Sequence, residues 1–443
     1  MNRRILCFIF CKILTLTSPL TGAKAENETK TFEIYGLIES EISSSLKSSS
    51  IQKSEIIFNS EISIQLEKFD FTALLRIRED FNNLYNGKEN PNSSFSSFHF
   101  DRNLLGTTHG ELREFYADVF IDNISLRIGK QQVVWGQTDG LKVLDVINPQ
   151  SFQEFILDDF ESSRIPLWTL NADIPLNQNV SLQFLWIPDL TYHELPSTDS
   201  LFAFRSPLLT LASLNSGEIS SIRKLNPKNI FRDSDLGFQV TFFQNGWDIT
   251  ANYFYHYDDF PVSSQDGLVE DFAIVTSYRR NHLLGGSLTK AFRNLVLRSE
   301  YGYSNNKYFI TRDSNGIIGY SVTPEFKVAL ALDYNADSEW FISGQVLLSD
   351  INKSKSKFIR DKLESSATLL LRKDLFNNSL VFENFLIHSF NNNDGVFRPK
   401  VIYEYESNIS VWGGFDIFYG DSFGYFGQFN DLDRFNLGLK IGI

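Results

Sequence analysis

The 443-residue chain holds two cysteines, one methionine and six histidines, and beyond its first 25 residues it has no apolar run of about 18 residues. Each shortage excludes something. Cys7, Cys11 and Met1 all precede residue 26, so a chain processed there has no thiol, no disulfide and no cysteine metal ligand. No helical membrane span can be drawn from such a sequence. His99, His109, His193, His256, His282 and His388 are scattered without metal-ligand spacing. Gly129, Gly136 and Gly140 lack the spacing of a phosphate-binding loop, and no Gly-x-Ser-x-Gly elbow occurs. No cofactor is therefore expected. Basic charge is also short. The formal charge of −13 falls to −17 once Arg3, Arg4, Lys12 and Lys24 are removed with the N-terminal segment. That balance argues against a nucleic-acid partner.

The N-terminal segment has the features of an export signal. Arg3 and Arg4 precede a mostly apolar stretch, Ile5 to Leu16, and Ala23-Lys24-Ala25 offers small residues at both cleavage subsites. Residues 1–25 are expected to be a cleaved signal peptide and 26–443 a single domain. No Pro-rich, Gly-Ser-rich or single-sign charged linker divides the latter.

What the chain does have is a period of two. "SEISIQLE" alternates Ile62, Ile64 and Leu66 with Glu61, Ser63, Gln65 and Glu67. The last nine residues set Phe435, Leu437, Leu439, Ile441 and Ile443 against Asn436, Gly438, Lys440 and Gly442. Successive strand side chains point to opposite faces, so each such segment has one apolar and one polar side. Many apolar faces end in Phe, Tyr or Trp, and the segments are near the ~9–11 residues a tilted strand needs to cross a bilayer. Short connections, among them the hairpin signal Asn245-Gly246, alternate with long polar ones such as 81–110, 135–166, 188–236, 258–281 and 349–364. The expected fold is all-β, an antiparallel transmembrane β-barrel of about 18 strands, with 16 as the alternative. Long extracellular loops and short periplasmic turns join the strands. The strands are placed at 32–42, 54–67, 71–80, 111–121, 124–134, 167–174, 180–187, 237–244, 247–257, 282–290, 295–305, 326–334, 340–348, 365–372, 379–390, 397–405, 409–419 and 435–443.

Turning the apolar faces outward sends Arg76, Arg78, Glu114, Arg127, Gln131, Arg298 and Glu300 into the lumen as pore-lining candidates. A one-residue slip would instead put Arg76, Arg298 and Glu300 in lipid, where a midplane Arg costs roughly 2–4 kcal/mol. Strand 124–134 ends at Trp135, expected at the membrane edge, and opens the connection 135–166. Ser151 and Glu154 have capping-box spacing, so a short helix is expected there, with Phe152, Phe155, Ile156 and Phe160 on one face. Asp158, Asp159 and Glu161 lie off that face and are constriction candidates. This loop is expected either to fold inward as a gate, with its acids opposite Arg76, Arg78 and Arg127, or to cap the barrel from outside. A second loop carries Leu201, Phe202, Phe204, Leu208, Leu209 and Leu211, which read either as a locally packed lid or as a surface for an apolar ligand or lipid.

"ELREFYADVF", "LRIGKQQVVWGQTDGLKVLDVINP", "RPKVIYEYES" and "YGDSFGYFGQF" resemble a family of uncharacterised Gram-negative outer-membrane barrels, a porin-like domain of unknown function. The resemblance implies an outer-membrane barrel that moves hydrophobic or aromatic molecules, in some cases beside an inner-membrane exporter, and it supplies no catalytic residue. One departure is the terminal Ile443, where such barrels usually end in Phe. The leading reading is an outer-membrane channel or transporter for small molecules, hydrophobic ones among the candidates, with 135–166 as candidate gate or constriction. The second is a closed lipid- or partner-binding barrel at the outer-membrane end of an export system. The third is a barrel enzyme such as a phospholipase. Expected partners are outer-membrane lipid and lipopolysaccharide, the barrel-assembly machinery, and a periplasmic or inner-membrane export partner.

Overall fold

The computed structural model describes residues 31–82, 107–138, 140–210, 219–225, 227, 229–266, 272–312, 318–336, 339–352 and 358–443. Its strands run in chain order as β1 (Thr31–Ser45), β2 (Ile51–Gln65), β3 (Phe69–Asp80), β4 (Thr108–Ile121), β5 (Ile124–Gln131), β6 (Leu167–Asn177) and β7 (Val180–Ile187). Next come β8 (Ile219–Leu225), β9 (Asp235–Gln244), β10 (Trp247–Tyr257), β11 (Val262–Asp266), β12 (Phe272–Ser277), β13 (Arg280–Phe292) and β14 (Leu295–Arg312). The last seven are β15 (Ile318–Asn335), β16 (Trp340–Ile351), β17 (Leu363–Leu375), β18 (Leu380–Ser389), β19 (Asp394–Glu406), β20 (Ile409–Tyr419) and β21 (Arg434–Gly442).

Eighteen of these form one antiparallel sheet that closes where β21 pairs with β1, Leu37 opposite Gly442 through Ser45 opposite Arg434. Closure satisfies every edge, as lipid requires. Each of the 18 segments drawn from the alternation overlaps one of these strands, many of which run past the expected bounds. The short turns also fall where the spacing put them. At the β9–β10 turn both Asn245 (φ 54°) and Gly246 (φ 76°) are left-handed, the geometry of a type I′ hairpin. The remaining three strands were not foreseen. β8 and β12 pair in parallel and β11 pairs with β12, building a small sheet from two of the long connections. β14 and β15, at 18 residues each, run well past the ~9–11 needed to cross the bilayer.

The proposed register is the one observed. Phe326, Leu330 and Leu332 on β15 and Val346 and Leu348 on β16 are exposed, as lipid-facing residues of an isolated barrel are, while the alternate Ala329, Ala331 and Gln345 are buried inside. The ladder shifts register at several points, and the shift on β4 bears on the site. A bulge lets Leu74 pair with Glu114 and Leu75 with Leu112, and the extra residue, Arg113, is buried. Lys130 on β5 stands opposite outward-facing Phe115 and opposite Trp168, and is fully buried. Its ammonium donates to the Leu112 carbonyl at 2.7 Å, beyond the last β4–β5 pair. A cation on the outer face is thus kept from lipid by the two aromatic rings and a backbone acceptor.

Candidate functional site

The connection between β5 and β6 folds into the barrel. β5 ends at Gln131, not at residue 134, because the Gln131 amide turns back to the Arg127 and Thr169 carbonyls (3.2 and 3.0 Å) and the chain leaves the sheet there. Asn148 closes the neck of the loop. Its Oδ1 accepts from the Val133 N–H at 2.7 Å and its Nδ2 donates to the Ile165 carbonyl at 2.9 Å. Two lobes result, 133–147 and 149–165. Asp145 ties them together, 2.7 Å from Lys142 and 2.9 Å from Arg164.

The first lobe is held by apolar contact. Val133, Trp135, Val143, Leu144 and Ile147 join the inward-facing Leu185, Phe254, Leu283 and Ala329 in one buried cluster. Trp135 is therefore not at the membrane edge. Its indole packs edge-on to Phe254 (5.7 Å between ring centres) and its Nε1 donates to Gln183 Oε1 at 2.7 Å. The inner wall is recessed to receive this lobe. A Cβ on Gly237 would lie 2.9 Å from the Trp135 ring, one on Gly285 would lie 2.5 Å from Leu144, and one on Gly302 would lie 3.1 Å from Val143. Glu300, fully buried on β14, accepts from the backbone N–H groups of Gln137 and of Leu144, the latter at 3.2 Å. Arg298 donates to the Gln137 carbonyl and pairs with Asp333 at 2.8 Å. At the far end, Gly140 (φ 81°) abuts Phe385 on β18, so this lobe spans the lumen.

The second lobe is held by charge. The expected helix from Ser151 does not form; the only helical turn here is α1 (Phe160–Ser163). Ser151 Oγ donates to Glu194 at 3.0 Å, and Phe155 takes a positive φ of 57°. Glu154 does not close a capping box because two buried cations claim it, Lys53 on β2 at 2.6 Å and Arg434 on β21 at 2.9 Å. Burial raises the pKa of this carboxyl, but the two cations outweigh it and hold it at about 2. Arg434 also bonds Asp416 at 2.8 Å, as does Arg398, whose other nitrogen donates to the Leu157 carbonyl at 2.8 Å. Phe152, Phe155 and Ile156 do share an apolar environment, as expected, against Phe418, Phe426 and Phe429. The side chain of Phe160 lies outside the described residues.

The acids of this lobe are only partly opposite the expected arginines. Asp158 lies 3.7 Å from Lys53. Arg76 bonds Asn59 at 3.0 Å and reaches Ser162 at 3.4 Å. Arg78 pairs with Glu55 at 3.5 Å, within the wall. Among the described residues the carboxylate partner of Arg127 is not on the loop but is Asp118 on the neighbouring strand, at 2.7 Å. Glu161 contributes its backbone carbonyl, to Arg113 at 3.1 Å. Asp159 is exposed and lines the remaining space, while Glu114 faces inward beside the β4 bulge.

The second loop forms a cap. Phe202 is fully buried, and Leu201, Phe204 and Leu209 pack with it against Phe155 and Phe429. This is the locally packed lid; Leu208 is half-buried, and Leu211 lies outside the described residues. Glu194 exchanges backbone bonds with Gln150 and Phe152 (2.9 and 2.8 Å). The Gln150 N–H donates to His193 Nδ1 at 2.9 Å, and burial pushes this imidazole down to about 3. Gln428 Oε1 accepts from the Arg205 and Ser206 N–H groups (2.8 and 2.9 Å), tying in the β20–β21 connection.

Among the described residues, one cavity of about 370 Å³ lies between the plug and the wall formed by β1–β3 and β17–β21. Ile156, Phe385 and Trp412 give it apolar surface, and Asp158, Asp159, Arg78, Lys400 and Lys440 give it charge. Arg113, Lys53 and Arg434 were missed from the sequence. The bulge hid the first, and the other two stand at or just before the ends of the segments in which alternation was counted.

Residues 47–365 match a family model described as Protein of unknown function (DUF1302). No curated protein matches the sequence. Among solved structures, OpdK of Pseudomonas aeruginosa, crystallised with vanillate, is 9% identical with a TM-score of 0.52, covering 93% of this chain and 98% of its own. OccAB3 of Acinetobacter baumannii is 8% identical with a TM-score of 0.51, covering 94% and 99%. OccAB1 of the same organism is 11% identical with a TM-score of 0.50, covering 95% and 98%. At these identities the likeness establishes the barrel fold.

Proposed function

The chain belongs to the DUF1302 family, a family of unknown function, and we propose that it is an outer-membrane channel for small molecules, constricted by the loop between β5 and β6. One observation carries this reading: the loop crosses the lumen yet leaves a cavity of about 370 Å³ beside it. An 18-stranded barrel has more interior than side chains alone can fill. The aromatic and aliphatic lining of that cavity suits permeants with an apolar part. The apolar residues of the 201–209 loop serve the cap and not a ligand. This reading calls on no catalytic residue; among the described histidines, His193 and His256 bond to backbone, and His282 and His388 bond to tyrosines. Residues 1–25 are its export signal.

The stitching of two connections, β7–β9 and β20–β21, over the plug favours one second reading, a closed barrel that engages an export partner. Purified protein in a planar bilayer separates the two. A channel gives stable single-channel steps that grow when residues 151–162 are deleted. Silence in both forms rejects the channel and leaves the closed barrel.

A further inference from the structure

We propose that the passage beside the plug discriminates by charge and favours cations, with Asp159 and Glu383 as the residues that attract them. The inference rests on the channel reading above. Seven carboxylates and five cations line the cavity, an excess of two negative charges. Pairing sharpens this imbalance. Lys53 is surrounded by four carboxylates, Glu41 at 3.2 Å, Glu55 at 3.0 Å, Glu154 at 2.6 Å and Asp158 at 3.7 Å. Its charge is consumed there. Arg398 is held by Asp416 at 2.8 Å and Lys440 by Glu39 at 2.9 Å, and Arg78 leans on Glu55 at 3.5 Å.

Lys400 is the one lining cation with no carboxylate partner among the described residues. Its ammonium sits 4.3 Å over the Trp412 ring, which lies flat against Gly438 on the wall. Glu383 is its register partner on β18, yet the two form no ion pair. Glu383 and, on the plug, the side chain of Asp159 face the cavity with no ion pair among the described residues, Asp159 acting on Arg398 and Lys440 only at longer range. A permeant therefore meets two carboxylates held in no ion pair against one ammonium already turned to an aromatic face. In a narrow passage with low-dielectric walls, fixed charges of one sign raise the local concentration of the opposite ion.

The test is the reversal potential of single channels in a planar bilayer across a tenfold KCl gradient. The wild-type protein is expected to pass K⁺ several-fold better than Cl⁻. The double variant Asp159→Asn/Glu383→Gln is expected to lower that permeability ratio at least twofold, and Lys400→Gln to raise it. Correct assembly of each variant is checked by heat-modifiable migration. Open channels that prefer Cl⁻, or ratios unmoved by both sets of substitutions, overturn the inference and leave the channel reading standing. If either set fails to assemble, the sign of the change in the other decides. Channels that never open, in wild type and variants alike, overturn the channel reading and this inference with it.

Discussion

The Glu154 carboxylate of the plug and the Lys53 ammonium of β2 lie 2.6 Å apart, and both side chains are almost wholly buried. Breaking a buried pair by removing one partner typically costs about 3–5 kcal/mol, because the other charge is left in a poor solvent. Here Lys53 retains other acids and Arg434 retains Asp416, so Glu154→Gln is expected to cost toward the lower end of that range. The plug should undock without loss of the barrel. Larger and noisier conductance, with protease cleavage inside 149–165, is the expected readout; an unchanged trace and uncut loop would mean the pair does not hold the plug.

The same pair sets an acid limit. The Glu154 pKa is held at about 2 when docked, against an ordinary 4.5. Its contribution is fully present above pH 4.5 and is lost as pH falls from there toward 2. Plug docking should therefore not depend on Glu154 between pH 5 and 8. Titrating the conductance of wild type and Glu154→Gln side by side checks this, since only wild type should change below pH 4.5.

His193 works at a higher pH. Burial keeps its imidazole neutral down to about 3, against an ordinary 6.5. When the loop opens, the ring can bind a proton that it excludes when closed. The stitch to Gln150 is therefore strongest above pH 6.5 and weakens steadily as pH falls toward 3. Hydrogen exchange at Gln150 and Glu194, corrected for intrinsic rate, should show less protection at pH 5 than at pH 7.5. His193→Gln should abolish that difference.

Gly302 tests the recess in the wall. A valine there would press on Val143, which already lies 3.1 Å from where a Cβ would stand. Overpacking of this kind costs about 1–3 kcal/mol. Gly302→Val should assemble normally and conduct more than wild type, because the plug yields before the strand ladder does. Normal conductance from an assembled Gly302→Val barrel would show that the recess does not seat the plug.

The lipid-facing register has its own test. Leu330 is 54% exposed on β15 between the buried Ala329 and Ala331. Leu330→Arg should lower unfolding stability in lipid by about 2–4 kcal/mol. Denaturant titration of folded barrels in liposomes measures it, and a change under 1 kcal/mol would contradict an outward Leu330.

The barrel was legible in the sequence because its signal is local. Alternation such as Phe435 to Ile443 is imposed at each position by lipid on one side and water on the other, and Asn245-Gly246 by turn geometry alone. The plug was legible only in outline. Ser151 and Glu154 read as a capping box, a preference worth roughly 1 kcal/mol. Buried cations outbid it, one of them 280 residues away on β21. Trp135 carried the composition of a membrane girdle, and only Gly237, Phe254 and Gln183 on other strands reveal that it points inward. Tertiary partners of this kind leave no local periodicity. Arg113 was lost for a different reason: one bulged residue reverses the parity on which the reading of β4 depended.

Arg434 belongs to the strand that seals the seam with β1, and it is also one of the two cations that seat Glu154. A barrel whose seam is still unzipped cannot present that guanidinium in place. The strand at the seam thus completes both the cylinder and the anchorage of its internal loop, so a cylinder that has not closed is also one whose loop is not yet fastened.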